Sequence, residues 1–127
     1  MPREILQSAG HACRGFLRAF RMERNLQLFG VGYVIVLLLG VRLGLQAWEW
    51  VTLLLSGGMF FAVELFNTAL ECFADGFDDH VKCEHRSECY ATIRATKDIA
   101  AAASLVSFIV AVMVISVVFW AHFSPTP

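Results

Sequence analysis

The chain has 127 residues, which is enough for one domain and too few for two ordinary ones. Hydrophobic residues make up 57% of it, a share above the usual range of soluble proteins, which favours a membrane protein. The formal net charge of −1 hides an uneven distribution, because five arginines lie in the first 24 residues and the next 57 hold only Arg42. We expect no nucleic-acid partner.

The first 25 residues are predicted to form a helix on the membrane surface. Arg14, Arg18 and Arg21 recur at helical spacing, while Phe16 and Leu17 lie on other faces. Such a basic helix with bulky apolar neighbours can lie in the headgroup layer of an anionic membrane. The alternative is a solvated, partly frayed tail. The segment lacks the pattern of a signal peptide, and none is expected.

Three apolar segments, 26–45, 51–74 and 99–121, are each long enough to cross a bilayer, which requires about 20 residues. The third carries no charged residue and is the clearest span. The sequence therefore predicts an all-α membrane protein, a single domain over residues 1–127. In this domain an amphipathic surface helix (1–25) precedes three transmembrane helices.

The distribution of basic residues predicts the orientation of these spans. Nine Lys and Arg residues lie in the N-terminal segment and the 76–97 connection, whereas the short 42–50 connection carries one. By the positive-inside rule, the N-terminus and a 76–97 loop are expected on the cytoplasmic side. The sequence thus predicts a multi-pass protein of the cytoplasmic membrane.

Polar residues interrupt the second span and recur along one helical face. Asn67, Thr68, Glu71 and Asp75 follow Glu64 at +3, +4, +7 and +11, so all five lie on the same side of a helix. An ionised group at bilayer depth costs at least ~2.5–3.5 kcal/mol on insertion scales. Polar contacts that merely hold helices together need no such charge. The stripe therefore indicates a site for cations, protons or phosphate-bound metal rather than a packing seam.

The position of each carboxylate along this face indicates what it can meet. Glu64 is the deepest and can meet a group presented from within the membrane, while Glu71 is better placed for something that enters from water. This arrangement suits a reaction between a lipid and a soluble cosubstrate. Near the start of the third span, Lys97 is a point charge suited to phosphate oxygens, and Asp98 is favoured at a helix start. A Lys-Asp pair at the end of a span can also be an ordinary pair of charged residues at the membrane interface, without a role in a site.

The 76–97 connection contains residue types that bind zinc. His80, Cys83, His85 and Cys89 have a spacing that is not a standard zinc pattern. The alternative is a charged loop or helix extension with incidental thiols.

Several motifs together resemble the prokaryotic diacylglycerol kinase family, which includes the undecaprenol kinases. The stretch 64–71 reads E-L-F-N-T-A-L-E and is followed by Asp75, and 97–101 reads K-D-I-A-A. Upstream, 15–25 (G-F-L-R-A-F-R-M-E-R-N) is similar to the family's amphipathic helix and first acidic ligand. The resemblance implies a homotrimeric enzyme of the bacterial inner membrane that transfers the γ-phosphate of ATP to a lipid hydroxyl with Mg²⁺.

The resemblance also implies roles for the carboxylates. Glu64 corresponds to the base that accepts the proton of the lipid hydroxyl. Glu23 and Glu71 correspond to the carboxylates that hold magnesium at the ATP phosphates. Mg²⁺ is commonly held by one or two carboxylates with substrate phosphates and waters, which is compatible with this pair.

Four further residues are implied to contact the nucleotide. Asn67 corresponds to a positioning residue, and Lys97 and Asp98 correspond to nucleotide contacts. His11 occupies the place of an aromatic residue that often faces the nucleotide. The stretch between Asp75 and Asp98 is longer than in typical members by about two helical turns.

The sequence is also compatible with two other functions. Intramembrane carboxylates are equally natural in a small cation or proton transporter. A nonenzymatic, metal-binding descendant of the kinase fold is the other alternative, although the joint retention of the site residues argues against lost activity. The sequence does not decide between diacylglycerol and undecaprenol as the acceptor.

Overall fold

The computed structural model describes the backbone of residues 2–84 and 87–123 and the side chains of 4–77 and 90–123. This part of the chain is almost entirely helical, so the all-α prediction is confirmed. Three of its helices are apolar and long enough to span a membrane. The elements are α1 (Pro2–Met22), α2 (Arg24–Leu43), α3 (Ala47–Glu84) and α4 (Ser87–Phe123).

Glu23 separates the basic helix α1 from the first apolar helix, α2. Its backbone is extended, with φ −101° and ψ 112°, so it breaks the helix for a single residue. Gln27 Nε2 donates to Phe20 O at 2.8 Å, which satisfies a carbonyl at the end of α1. The Glu23 side chain makes no capping bond to α2, although it stands at the N-cap position.

A short turn joins α2 to α3, and each helix end is capped. Gly44 has the left-handed conformation (φ 69°), and the N–H groups of Gly44 and Leu45 donate back to the last turn of α2. At the start of α3, Gln46 N–H donates to Glu49 Oε2 at 2.6 Å, as in a capping box. Glu49 Oε1 also lies 2.9 Å from His122 Nε2 near the end of α4. This buried carboxylate thus ties the α2–α3 turn to the end of the chain's last helix.

The predicted loop over 76–97 is wrong in most of its extent. α3 continues to Glu84, and α4 is already helical from Ser87. The stretch contains no proline, the residue that interrupts a helix most strongly, so its polar character does not by itself end either helix. The candidate zinc ligands His80, Cys83, His85 and Cys89 have side chains outside the described residues.

The helical hairpin of α3 and α4 is the main packing unit of the chain. With 38 residues, α3 is about 57 Å long at 1.5 Å per residue, well beyond the ~30 Å hydrocarbon core. α4, with 37 residues, matches it. On α4, Ala100, Ser104 and Ala111 are buried, whereas Ala101–Ala103 are exposed. Small residues on one face therefore let the two long helices lie close together.

Aromatic side chains join α2 to this hairpin. Phe29 and Tyr33 of α2 pack with Phe60 of α3 and Ala111 of α4 in one buried cluster. The Tyr33 ring lies over Gly57, where an added Cβ would come within 2.3 Å of Tyr33 Cζ. Tyr33 Oη also donates to Leu53 O at 2.8 Å. The small residue at 57 therefore admits α2 of the same chain.

Candidate functional site

The polar residues within 64–75 lie along one side of α3 in the structure, and the side chains at the Glu64 end are buried. Glu64 is only 2% exposed, Asn67 and Thr68 are also buried, Glu71 is half-buried, and Asp75 is exposed. Thr68 Oγ1 donates to Glu64 O at 2.9 Å, so its hydroxyl returns to its own helix. The stripe therefore grades from a buried carboxylate at Glu64 to an exposed one at Asp75.

A serine from the opposite helix contacts the deepest carboxylate. Ser104 Oγ donates to Glu64 Oε2 across the α3–α4 interface, and both residues are buried. A hydroxyl donor to a buried carboxylate offsets part of the cost of removing that carboxylate from water. Sequence reasoning missed Ser104, although it stands out as a polar residue directly after the alanine run 100–103.

Asn67 and Glu71 form the second contact of the stripe. Asn67 Nδ2 donates to Glu71 Oε1 at 3.1 Å. Asn67 Oδ1 is buried and accepts no hydrogen bond from the residues that the structure describes. A buried acceptor without a partner costs about 1–3 kcal/mol, so this oxygen is suited to receive a donor from a bound molecule.

Glu23 approaches the same carboxylates from the α1–α2 junction. Burial raises the pKa of the Glu23 carboxyl, and the negative charges of Glu71 and Glu64 raise it further. Glu23 therefore lies within electrostatic range of both Glu71 and Glu64. Among the described side chains, no three acidic, histidine or cysteine groups are gathered tightly enough to form a ready-made metal site. A magnesium ion held partly by phosphates does not require one, and two carboxylates are donors of the type that Mg²⁺ takes.

The structure brings Lys97 to Asp75 rather than to Glu64. Lys97 Nζ lies 2.6 Å from Asp75 Oδ1, and the pair links α4 to the exposed end of the stripe. Asp98, the next residue of α4, is exposed. His11 is exposed on α1, where Arg14 Nη2 donates to its Nδ1 at 3.1 Å. Of the predicted nucleotide contacts, Asn67 and Lys97 thus bond to other residues of the stripe.

An apolar groove ends at the Glu64 carboxylate. The groove has a volume of about 590 Å³ and is lined by α2, α3 and α4. Asn25, Glu64 and Ser104 are its polar residues at the α1 end, while Leu28, Val36 and their neighbours make the rest of its lining largely apolar. From Ser104 to Ser116 the groove follows α4 for about 18 Å. Its shape and lining suit a hydrocarbon chain whose polar end lies at Glu64.

Comparison with known proteins gives one consistent family. The family model described as prokaryotic diacylglycerol kinase matches residues 10–119. The chain is 32% identical over 110 residues to the undecaprenol kinase of Bacillus subtilis strain 168, and the aligned stretch covers 87% of this chain and 83% of that protein. It is 28% identical over 119 residues to the diacylglycerol kinase of Escherichia coli strain K12, covering 94% and 91% of the two chains. The diacylglycerol kinase of Shigella flexneri matches to the same extent.

Proposed function

The chain belongs to the prokaryotic diacylglycerol kinase family and is a membrane lipid kinase, and we propose that it uses ATP and Mg²⁺ to phosphorylate the hydroxyl group of a lipid alcohol. The acceptor would be diacylglycerol or undecaprenol, with phosphatidic acid or undecaprenyl phosphate as the product. The observation that carries this proposal is the buried Glu64 carboxylate at the polar end of an apolar groove.

Glu64 is the proposed general base. A lipid whose chain lies in the groove presents its hydroxyl at the groove's polar end, where Glu64 accepts the proton. The lipid oxygen then forms a bond to the γ-phosphorus, and the bond from that phosphorus to the ADP oxygen breaks. Burial keeps water away from Glu64, which favours transfer to the lipid over hydrolysis of ATP.

Glu23 and Glu71 are the proposed magnesium ligands, and Asn67 supports Glu71 through its amide. The metal would supply charge stabilisation at the nucleotide phosphates, the main requirement of phosphoryl transfer. The pKa of the Glu23 carboxyl is raised first by burial and then by the negative charges of Glu71 and Glu64, and a bound cation would relieve this repulsion, which supports the assignment.

Lys97 is the proposed phosphate contact, with Asp98 and His11 as further nucleotide contacts. Lys97 is already located at the exposed end of the stripe, where its ammonium bonds to Asp75. An incoming phosphate would compete with Asp75 for this charge. The exposure of Asp98 and His11 leaves both side chains accessible to a soluble nucleotide.

We also propose that the protein lies in the bacterial cytoplasmic membrane as a homotrimer, with its N-terminus in the cytoplasm. The arginines of α1 at the Glu64 end support this orientation, because basic residues are retained on the cytoplasmic side. Less than a fifth of the α2 and α4 spans is buried within one chain, which leaves large helix faces for neighbouring copies.

The alternative of an ion transporter is less well supported. Beyond Glu64 the groove is largely apolar, and such a lining suits a lipid chain better than a hydrated ion. The direct test supplies the purified protein with ATP and Mg²⁺ and then with diacylglycerol or undecaprenol in turn. Phosphorylation of one lipid supports the proposal and identifies the substrate, whereas phosphorylation of neither would refute it.

A further inference from the structure

We propose that Ser104 is a positioning residue that orients the Glu64 carboxylate for proton transfer, an inference that rests on the proposed kinase function. Ser104 lies on α4 and Glu64 on α3, 40 residues apart in the chain, and the serine hydroxyl donates to Glu64 Oε2. Both side chains line the polar end of the apolar groove. The contact therefore joins the proposed base to the opposite wall of the groove.

The geometry of a carboxylate explains what this contact does. A glutamate side chain has three rotatable torsions, and a base that swings among rotamers spends less time in the productive geometry. A charge-assisted bond to Oε2 fixes the plane of the carboxylate and leaves Oε1 as the oxygen that receives the lipid proton. Ser104 itself need not touch the substrate to act in this way.

The other described serines of α4 behave differently. Ser107 Oγ donates to Ser104 O at 2.8 Å, and Ser116 Oγ donates to Val112 O at 2.8 Å. Both hydroxyls return to the backbone of their own helix, which is the usual way for a helical serine to satisfy itself. Ser104 instead donates its hydrogen bond to Glu64 on α3 and not to the backbone of its own helix, α4.

The test compares Ser104→Ala with Ser107→Ala in the full-length protein in lipid-detergent micelles. Both changes remove one serine hydroxyl from the same helix, but only the first removes a contact to Glu64. We expect Ser104→Ala to lower kcat about 10- to 100-fold, the range for a hydrogen bond to a charged group, while KM for ATP stays unchanged. Ser107→Ala should keep the wild-type kcat. Ser104→Thr, which retains the hydroxyl, should recover most of the lost kcat.

The outcomes separate this inference from the function on which it rests. An active wild type together with an unchanged kcat in Ser104→Ala would overturn the role of Ser104 alone. A wild type that phosphorylates neither lipid would overturn the kinase proposal and this inference with it. If Ser104→Ala does not fold, Ser104→Cys provides a side chain of similar shape with a weaker donor. Its kcat should fall below that of the wild type, and full activity would overturn the proposal.

Discussion

Glu64 is deeply buried and lies at the end of a groove large enough for a lipid chain. Its proposed role as the base can therefore be tested directly by substitution. Glu64→Gln keeps the shape of the residue but removes its ability to accept a proton. We expect kcat to fall at least ~10²-fold under saturating lipid, the low end of a general-base contribution. Binding of ATP, measured directly, should change little. Near-normal turnover of this variant would show that another group takes the proton.

Glu23 and Glu71 are expected to control the requirement for magnesium. Glu23→Gln or Glu71→Gln should raise the Mg²⁺ concentration for half-maximal activity at least ~10-fold, since even the loss of an outer partner of a metal ligand typically costs that much. The apparent affinity for lipid should change less. Glu4→Gln, at an exposed carboxylate of α1, is the control. Unchanged magnesium dependence in both variants would place the metal elsewhere.

Glu23 should also lower the stability of the metal-free protein. Its pKa is raised in the folded state, so folding is not opposed at acidic pH, where the carboxyl carries its proton in both states. As the pH rises through the folded-state pKa, the carboxyl loses its proton and the folded protein becomes less stable. At pH 7.5 without Mg²⁺, Glu23→Gln is therefore expected to melt at a higher temperature than the wild type, and this difference should shrink at acidic pH. A lower melting temperature of the variant at pH 7.5 would contradict the assignment.

At the scale of helices, the contact between α2 and α3 depends on Gly57. Gly57→Ala would bring a Cβ within 2.3 Å of the Tyr33 ring and disturb the bond from Tyr33 Oη to Leu53 O. We expect a loss of about 1–3 kcal/mol in unfolding free energy, the usual cost of overpacking. Gly58→Ala is the matched control, because nothing lies within 4 Å of its new Cβ. Equal stability of the two variants, measured by denaturant unfolding, would refute this account.

The far end of the hairpin depends on the pair formed by Glu49 and His122. Glu49 is 3% exposed. His122→Ala would remove one of the two described hydrogen-bond partners of the Glu49 carboxylate. Such a loss at a buried group costs about 1–3 kcal/mol. A double-mutant cycle with Glu49→Gln measures the coupling by thermal unfolding. Strict additivity of the two changes would show that the pair does not stabilise the end of α4.

At the scale of the whole molecule, the site is expected to be shared between copies of the chain. Within one chain Lys97 bonds Asp75, which lies about 16 Å along α3 from Glu64. Mixing inactive Glu64→Gln chains with inactive Lys97→Ala chains should therefore restore activity if the two residues come from different protomers. Trimers of each variant alone are the controls. No rescue in verified mixed trimers would place both residues in one chain's site.

Local sequence patterns were enough to predict the all-α class, the three apolar spans and the polar face of α3. These features follow from local periodicity: apolar length predicts a span, and a 3.6-residue repeat predicts which side chains share a face. The motifs around Glu64 and Lys97 likewise carried the family. The surface helix predicted over residues 1–25 ends at Met22 in the structure, and Glu23 separates it from the first apolar helix.

Which helix faces meet follows from the packing of the helices and is not predicted by local sequence. The bonds from Ser104 to Glu64 and from His122 to Glu49 join residues 40 and 73 positions apart, and they depend on the rotation and register of packed helices. No local pattern encodes that register. The sequence analysis also predicted a loop over 76–97, where α3 and α4 continue as helices for most of the stretch. Polar residues indicate that a segment is in contact with water, but they do not exclude a helix. Packing between α3 and α4 can stabilise both helices beyond the apolar region. Local sequence thus predicted the three spans and the polar face, whereas packing between distant residues determined which side chains meet at the site.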